Sequence, residues 1–211
     1  AAVVWPLITL GQRSTAPDDV ASRGAELFSR KFTTEQGLGP LFNQNSCAGC
    51  HAYPSVGGMG SAGLGTVTRI GRLTSAGFDS LAGRGGPIAR AHSVTEDGLA
   101  CDLEAGIPRS ANMTSVRNAP DLHGAGLIDA IPDEEIAAGA VARGDGVHGR
   151  PHKVKTADGR ERIGRFGWKA DTASLYQFVG EAFRNELGIT NPVAPADLLP
   201  SDTPVRHACP G

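Results

Sequence analysis

Two cysteines two residues apart, followed at once by a histidine, form the segment Cys47-Ala48-Gly49-Cys50-His51. Two thiols at this spacing reach the two vinyl groups along one edge of a haem, and the adjacent imidazole then points at the iron from the same turn of chain. The alternatives are a redox dithiol and half of a zinc site, but a zinc site needs a second Cys/His pair at similar spacing. The segment therefore predicts one covalent haem c, held by Cys47 and Cys50 with His51 as an iron ligand.

Thioether attachment of haem implies an oxidising compartment, so we expect the protein to be periplasmic or otherwise exported. In that compartment the remaining cysteines, Cys101 and Cys209, are expected to form a disulfide that fastens the C-terminal tail. The apolar run at residues 1–10 is far shorter than the ~20 residues needed to cross a bilayer. We therefore expect no direct membrane span.

The composition indicates a chain rich in loops. It has 29 Gly and 14 Pro, and 5% of its 211 residues are aromatic, which favours turns and irregular segments. A haem would supply the large apolar surface that so few aromatic side chains do not. Lys and Arg number 20 against 22 Asp and Glu, a balance that indicates no basic surface for nucleic acid.

The predicted fold class is mainly α: a cytochrome c-like domain with long Gly/Pro-rich loops and short β ribbons. Apolar residues at helical spacing predict a helix over residues 20–32, just before the Cys-x-x-Cys-His segment. Pro132 and the acids after it predict a helix over residues 133–142. A third helix is expected from Asp171 or Thr172 to about residue 187, where Gly188 ends it.

Two short β ribbons are predicted outside the helices. One lies at residues 66–73, and the other lies around residues 154–164, where Asp158-Gly159 is a hairpin signal. The chain is expected to divide into an N-terminal extension (1–19), a haem domain (20–190) and an extended, Pro-rich tail (191–211).

The iron of a c-type haem often takes a second axial ligand, and three residues remain as candidates: His92, His123 and Met113. The histidines further along the chain lie in polar loops where a solvated imidazole is the usual case. Met59 follows His51 too closely to cross to the opposite face of the haem. The residues alone leave the choice among the three open.

Segments around the Cys-x-x-Cys-His motif, at residues 38–58, 117–133, 164–170 and 185–190, share a further pattern. It includes Leu41-Phe42-Asn43, Asn118-Ala119-Pro120 and Phe166-Gly167-Trp168. Over about residues 24–192 the chain resembles the di-haem oxidoreductase family, which is similar to bacterial di-haem cytochrome c peroxidases. Those proteins have an N-terminal peroxidatic haem domain and a C-terminal electron-transfer haem domain. This chain resembles the N-terminal one in these segments, and it departs from the family in having a single Cys-x-x-Cys-His segment.

The resemblance implies roles for three residues. In the peroxidases a distal histidine lies between the haem motif and an Asn-Ala-Pro segment, so His92 is the first choice as second iron ligand. An acid just beyond that segment assists O–O cleavage, and Asp129 is at the matching position. Trp168 is the candidate relay of electrons toward a second haem. The alternatives are a turn or helix-start carboxylate for Asp129 and a core aromatic for Trp168.

The resemblance also implies electron transfer with peroxide reduction. Reducing a peroxide takes two electrons, whereas one ferrous haem supplies one, so a redox partner protein, a second haem domain or a second subunit is expected. The alternatives are a mono-haem electron-transfer cytochrome c with two strong axial ligands and a haem-bearing structural subunit of a larger complex.

Overall fold

The computed structural model describes residues 17–199 apart from 62, 83, 102, 142, 143 and 157. The α-helices in this part of the chain are α1 Pro17–Ser29, α2 Ala125–Asp129, α3 Asp133–Ala138 and α4 Leu175–Leu187. The strands are β1 Leu41–Phe42, β2 Thr66–Thr74, β3 Gly77–Asp79, β4 His92–Ser93, β5 Met113–Asn118, β6 Lys153–Lys155 and β7 Glu161–Ile163. Short 3-10 helices occupy Thr34–Gln36, Cys47–Gly49 and Val94–Asp97.

The strands form three small antiparallel sheets. The largest has the order β3-β2-β5, and the other two are the pairs β1-β4 and β6-β7. In the β1-β4 pair Phe42 lies opposite His92, and Leu41 lies opposite Ser93. This pairing brings His92 beside the segment that leads into Cys47.

The prediction of a mainly α fold is wrong. In the part of the chain that the structure describes, helices hold 25% of the residues and strands hold 21%. The sequence showed β2, but not its partner β5, because strands pair through residues distant in sequence and because cross-strand contacts decide β structure more than local preference does. Strands as short as β1 and β4 leave no alternating pattern to read.

Several local predictions are confirmed. The hairpin β6-β7 forms with Lys155 opposite Glu161. Helix α4 ends at Gly188, which has a left-handed φ of 67° and donates its N–H to Arg184 O at 3.1 Å. A β-carbon at Gly188 would collide with the carbonyl of Gly39, so glycine is required there twice over. Helix α4 begins later than predicted, because Ser174 Oγ accepts from Gln177 N at 3.2 Å and caps the helix.

The core consists of small clusters rather than one large one. The buried members are Leu41, Val94, Cys101 and Leu103 in one, Phe32, Leu38 and Leu187 in another, and Ile70, Leu81 and Ala89 in a third. Phe42 packs against the first two clusters.

Cys209 lies outside the described residues, so its disulfide with Cys101 stays a prediction. None of the described helices combines the length and apolar character of a membrane span.

A carboxylate clamp joins α3 to the β6-β7 hairpin. Asp133 accepts hydrogen bonds from Arg162 Nη2 at 2.8 Å, from the N–H of Ile163 at 3.0 Å and from Arg165 Nη2. The side chain of Arg165 is 2% exposed, and it also donates to the carbonyl of Ile131. The hydrogen bond from Arg162 is the largest of the effects that lower the pKa of Asp133 to about 2.

We expect Asp133→Asn to lower the free energy of unfolding by about 2 to 3 kcal/mol, because buried Arg165 loses its carboxylate partner. The pKa of Asp133 is lower in the folded than in the unfolded state, so its contribution is complete above about pH 4 and is lost as pH falls toward 2. Urea-unfolding curves of the two proteins should therefore differ at neutral pH and converge in acid. The control is Glu134→Gln, an exposed acid of the same helix turn, and an equal loss in that variant would contradict the clamp.

Candidate functional site

The Cys-His turn, residues 46–51, holds both thiols and the imidazole on one short piece of chain. Ser46 caps the 3-10 helix Cys47–Gly49, with its Oγ accepting from Gly49 N at 3.1 Å. The N–H groups of Cys50 and His51 donate to Cys47 O at 3.1 and 3.0 Å. Ser46 is 5% exposed, so the cap is shielded from water and the turn is fixed from inside.

Both thiols of the turn are free and partly exposed. Burial raises the pKa of Cys47. It also raises the pKa of Cys50 to about 11, with smaller contributions from the carboxylate of Glu186 and from Cys47. At neutral pH both groups are therefore uncharged thiols rather than the thiolates of a reactive redox dithiol.

The ring of His51 is oriented by two main-chain carbonyls. His51 Nδ1 lies 2.9 Å from Pro120 O and 3.1 Å from Gly58 O. A carbonyl can only accept, so Nδ1 carries the proton and Nε2 keeps its lone pair. This is the tautomer that binds a metal through Nε2, with the other ring nitrogen held by an outer partner. The ring of Phe28 in α1 lies beside it, at a centroid distance of 6.3 Å.

Glycines let the following loop fold closely against the turn. Gly65 has a left-handed φ of 77°, and a β-carbon there would lie 2.5 Å from Cys50 O. A β-carbon at Gly58 would collide with the carbonyl of Tyr53. Because Gly58 O is one of the two acceptors for His51 Nδ1, the missing side chain at Gly58 is what lets that acceptor approach the imidazole.

His92 lines a cavity of about 600 Å³ whose wall reaches Gln44 and Asn45, the two residues just before the Cys-His turn. The cavity has an apolar wall of Phe32, Leu38, Phe42 and Leu99, and polar groups that include Gln44, Asn45 and Glu96. His92 Nδ1 lies 3.1 Å from Glu96 Oε2. A carboxylate at this position selects the Nδ1–H tautomer and leaves Nε2 free to act as a ligand.

His123 and Met113, the other candidates for second ligand, lie elsewhere. His123 Nδ1 is 2.7 Å from Asp121 Oδ1. Its Nε2 faces Gly57, where a β-carbon would lie 3.4 Å away. These contacts place His123 beside the loop that holds the Nδ1 side of His51. Met113 is 44% exposed in β5, opposite Gly71.

Asp129 and Trp168 each have a definite partner. Asp129 Oδ1 accepts from the N–H of Leu175 at 2.9 Å, at the first residue of α4. This contact matches the alternative of a helix-start carboxylate, although the helix is α4 rather than its own. Trp168 is 45% exposed, and the guanidinium of Arg117 lies over its ring at 5.4 Å, a cation–π contact at the surface.

Sequence reasoning missed three groups that the structure brings to the site: the carbonyl of Pro120, Glu96 and Asn43. The signal for Glu96 was its place three residues after Ser93, the spacing of a capping box, and this box brings its side chain beside His92. Main-chain acceptors such as Pro120 O cannot be predicted from the type of side chain, because every residue has a carbonyl group. Asn43 is 8% exposed, and its partners are distant in sequence.

The residues present fit a covalently held haem. Two free thiols and an imidazole with an available Nε2 lie on one turn. The nearby cavity, at about 600 Å³, is in the range of pockets that hold cofactors. In the described part of the chain, Arg184 Nε and Asn185 Oδ1 are also buried without a hydrogen-bond partner. The same part of the chain has no cluster of three or more His, Cys, Asp or Glu side chains suited to a metal ion.

Comparison with known families decides where the chain belongs. A family model described as "di-haem oxidoreductase, putative peroxidase" matches residues 98–208, more than half of the chain. The chain belongs to this family. Membership implies a haem cofactor and a peroxidase-like oxidoreductase. Searches of curated proteins and of solved structures found no match.

The matched region of this di-haem oxidoreductase includes His123, Asp129 and Trp168 but begins after the Cys-His turn and after His92. It also includes Pro120, whose carbonyl binds His51 Nδ1 at 2.9 Å. The turn is therefore joined to the family region through a tertiary hydrogen bond.

We expect Gly58→Ala to destabilise the protein by about 2 kcal/mol or more, because the new β-carbon meets the Tyr53 carbonyl and displaces Gly58 O from His51. The control is Gly24→Ala in α1, where the added methyl group meets nothing within 4 Å. That change should stabilise the helix by roughly 1 kcal/mol. Thermal unfolding of the two variants would show opposite shifts, and a Gly58→Ala protein as stable as the wild type would contradict the packing argument.

Proposed function

We propose that this di-haem oxidoreductase domain carries one covalent haem c on Cys47 and Cys50, with His51 as iron ligand, and works as a peroxidatic-type domain in an exported compartment. The observation that carries the proposal is the orientation of His51. It follows Cys50 directly, and its Nδ1 bonds to Pro120 O at 2.9 Å, which leaves Nε2 for the iron. A redox dithiol would not need an oriented imidazole.

When bound, the haem supplies one-electron chemistry at its iron and an apolar surface of its own. The chain's residues have separate tasks around it. Cys47 and Cys50 anchor the group, and the half-buried turn keeps both thiols at a fixed separation. The carbonyls of Pro120 and Gly58 hold the imidazole, and they raise its basicity as outer partners of a metal-bound histidine do.

His92 is our proposal for the second iron ligand. It has the outer partner that a ligand histidine needs, since Glu96 Oε2 lies 3.1 Å from Nδ1. It also lines the cavity near the turn. His123 lacks this placement, because its Nε2 faces Gly57. A side chain 44% exposed, as His92 is, would have room to move away from a bound iron and open a coordination position.

We propose peroxide reduction as the activity, as the family description suggests. Asp129 is the candidate acid, and Trp168 is the candidate electron relay. Asp129 Oδ1 is occupied by the Leu175 N–H, so proton transfer would fall to Oδ2. Exposed Trp168 lies at a surface that a partner can reach. A redox partner protein, second haem domain or subunit supplies the second electron that a single haem does not.

A second candidate function is electron transfer alone. The contact between His92 and Glu96 favours it, because a carboxylate that orients and strengthens a second ligand also makes that ligand harder to displace. An electron carrier keeps both axial ligands in both oxidation states, whereas a peroxidase must open one position for substrate.

Covalent attachment is tested by expressing the chain with a haem-attachment system and measuring its intact mass. We expect the wild type to gain the mass of one haem, and Cys47→Ser or Cys50→Ser to lose one thioether, seen as a shift of the α band of the pyridine haemochrome. His51→Ala should lose the strong-field ligand and change the ferric spectrum. His152→Ala is the control, since His152 contacts Lys169 O at 2.9 Å, away from the turn. Wild-type spectra in the Cys47, Cys50 and His51 variants would refute the proposal.

The second ligand and the activity are tested by ferric and ferrous absorption spectra before and after hydrogen peroxide. We expect His92→Ala to convert a low-spin haem to high-spin, while His123→Ala and Met113→Ala leave the spin state unchanged. A wild-type haem that opens on reduction and responds to peroxide supports the peroxidatic function. A haem that stays low-spin in both states and ignores peroxide makes the chain an electron carrier.

A further inference from the structure

Glu186 places a carboxylate beside the Cys-His turn. It is the second-last residue of α4, and its Oε2 accepts a hydrogen bond from Asn43 Nδ2 at 2.7 Å. The main-chain carbonyl of Glu186 also accepts from the N–H of Asn43 at 2.7 Å. Asn43 lies three residues before Ser46, the cap of the turn. The side chain and the backbone of Glu186 thus both bind the segment that leads into the turn.

The surroundings of Glu186 disfavour a negative charge. The C-terminal end of a helix carries partial negative charge, so a carboxylate there is repelled. Burial raises the pKa of Glu186, and the hydrogen bond from Asn43 and the positive charges of Arg90 and Arg69 only partly offset this effect. Arg90 itself is 5% exposed, and its Nη1 donates to the carbonyls of Gly85 and Ile88. The pKa of Glu186 therefore lies above its usual range, and its environment favours the neutral acid more than water does.

Asn43 holds Glu186 in position in either form. Its Oδ1 accepts from the N–H of Ala91 at 2.9 Å, which fixes the direction of the amide and leaves Nδ2 to donate. An N–H donor can bind a carboxylate oxygen or the carbonyl oxygen of a carboxylic acid. The Asn43 contact can therefore persist when Glu186 gains a proton, and the surrounding fold need not rearrange.

The negative charge of Glu186 acts on the Cys-His turn. Its field contributes to the raised pKa of the Cys50 thiol, so the two groups lie within electrostatic range. An electron added to an iron held beside Cys50 by His51 would be disfavoured by a negative Glu186 and favoured by a neutral one. Reduction of the iron and protonation of Glu186 must then strengthen each other, because coupling between two sites is reciprocal.

We propose that Glu186 takes up one proton from solvent when the haem on Cys47 and Cys50 accepts one electron from a one-electron donor, with Asn43 as the positioning residue. Ferric iron becomes ferrous, the carboxylate becomes a carboxylic acid, and the net charge of the site is unchanged. Oxidation releases both the electron and the proton. This inference rests on the proposed haem attachment.

Other ionisable groups face the same region and need a control. Arg69 from β2 and Arg90 from the segment before β4 act on Glu186, and Arg184 of α4 acts on Arg90. Asp197 is the competing acid, because burial raises its pKa and its charge interacts with Arg90 and Arg184.

The test is the midpoint potential of the haem-loaded chain against pH, measured by spectroelectrochemical titration of the wild type, Glu186→Gln and Asp197→Asn. We expect the wild-type potential to fall with rising pH by up to about 59 mV per unit over the titration range. Glu186→Gln keeps an acceptor for Asn43 and should lose most of that slope, with a potential above that of the wild type at alkaline pH. Asp197→Asn should keep the slope.

A wild-type slope in Glu186→Gln, or a wild-type potential independent of pH, would overturn the inference while leaving haem attachment intact. A chain that carries no haem, seen in its absorption spectrum, overturns the proposed function and this inference together. Reduced-minus-oxidised infrared spectra of the wild type provide a measurement independent of the variants. They should show the C=O band of a newly protonated carboxylic acid, and its absence would also overturn the inference.

Discussion

The bond from His51 Nδ1 to Pro120 O is the interaction on which the site depends. It spans 69 residues and ties the Cys-His turn to the region that the family model matches. Because a carbonyl can only accept, this contact fixes the tautomer of His51 and frees Nε2 to bind a metal. The approach of Gly58 O and the close packing of the Gly65 loop against Cys50 serve the same end.

Helix α4 also supports the turn, although it lies far from the turn in the sequence. Asn43 bonds to Glu186 of α4 and to Ala91 beside His92, so one buried amide links three distant segments. The short β1-β4 pair then places His92 next to Phe42 and the cavity. The turn, the proposed second ligand and the carboxylate that we propose to take up a proton are thus connected through Asn43.

The divided core explains why a prosthetic group suits this chain. Its buried clusters are small, while large apolar side chains remain at the surface, such as Leu127 at 79% and Tyr176 at 74% exposure. Polar clamps, such as Asp133 with buried Arg165, hold segments together where apolar packing is thin. A haem would add buried apolar area where the chain supplies little, and binding only to the folded state stabilises that state.

The sequence by itself determined the local features: the spacing of Cys47, Cys50 and His51, the β6-β7 hairpin at Asp158-Gly159, and the end of α4 at Gly188. Each of these follows from residues near one another in the chain, whose geometry or φ preference is intrinsic. Only the tertiary structure decided that the fold is mixed rather than mainly α, that Asp129 bonds to the first residue of α4, and that the carbonyl of Pro120 and the side chain of Asn43 lie at the site. Those outcomes depend on main-chain acceptors and on pairings between distant segments, which leave no trace in local sequence pattern.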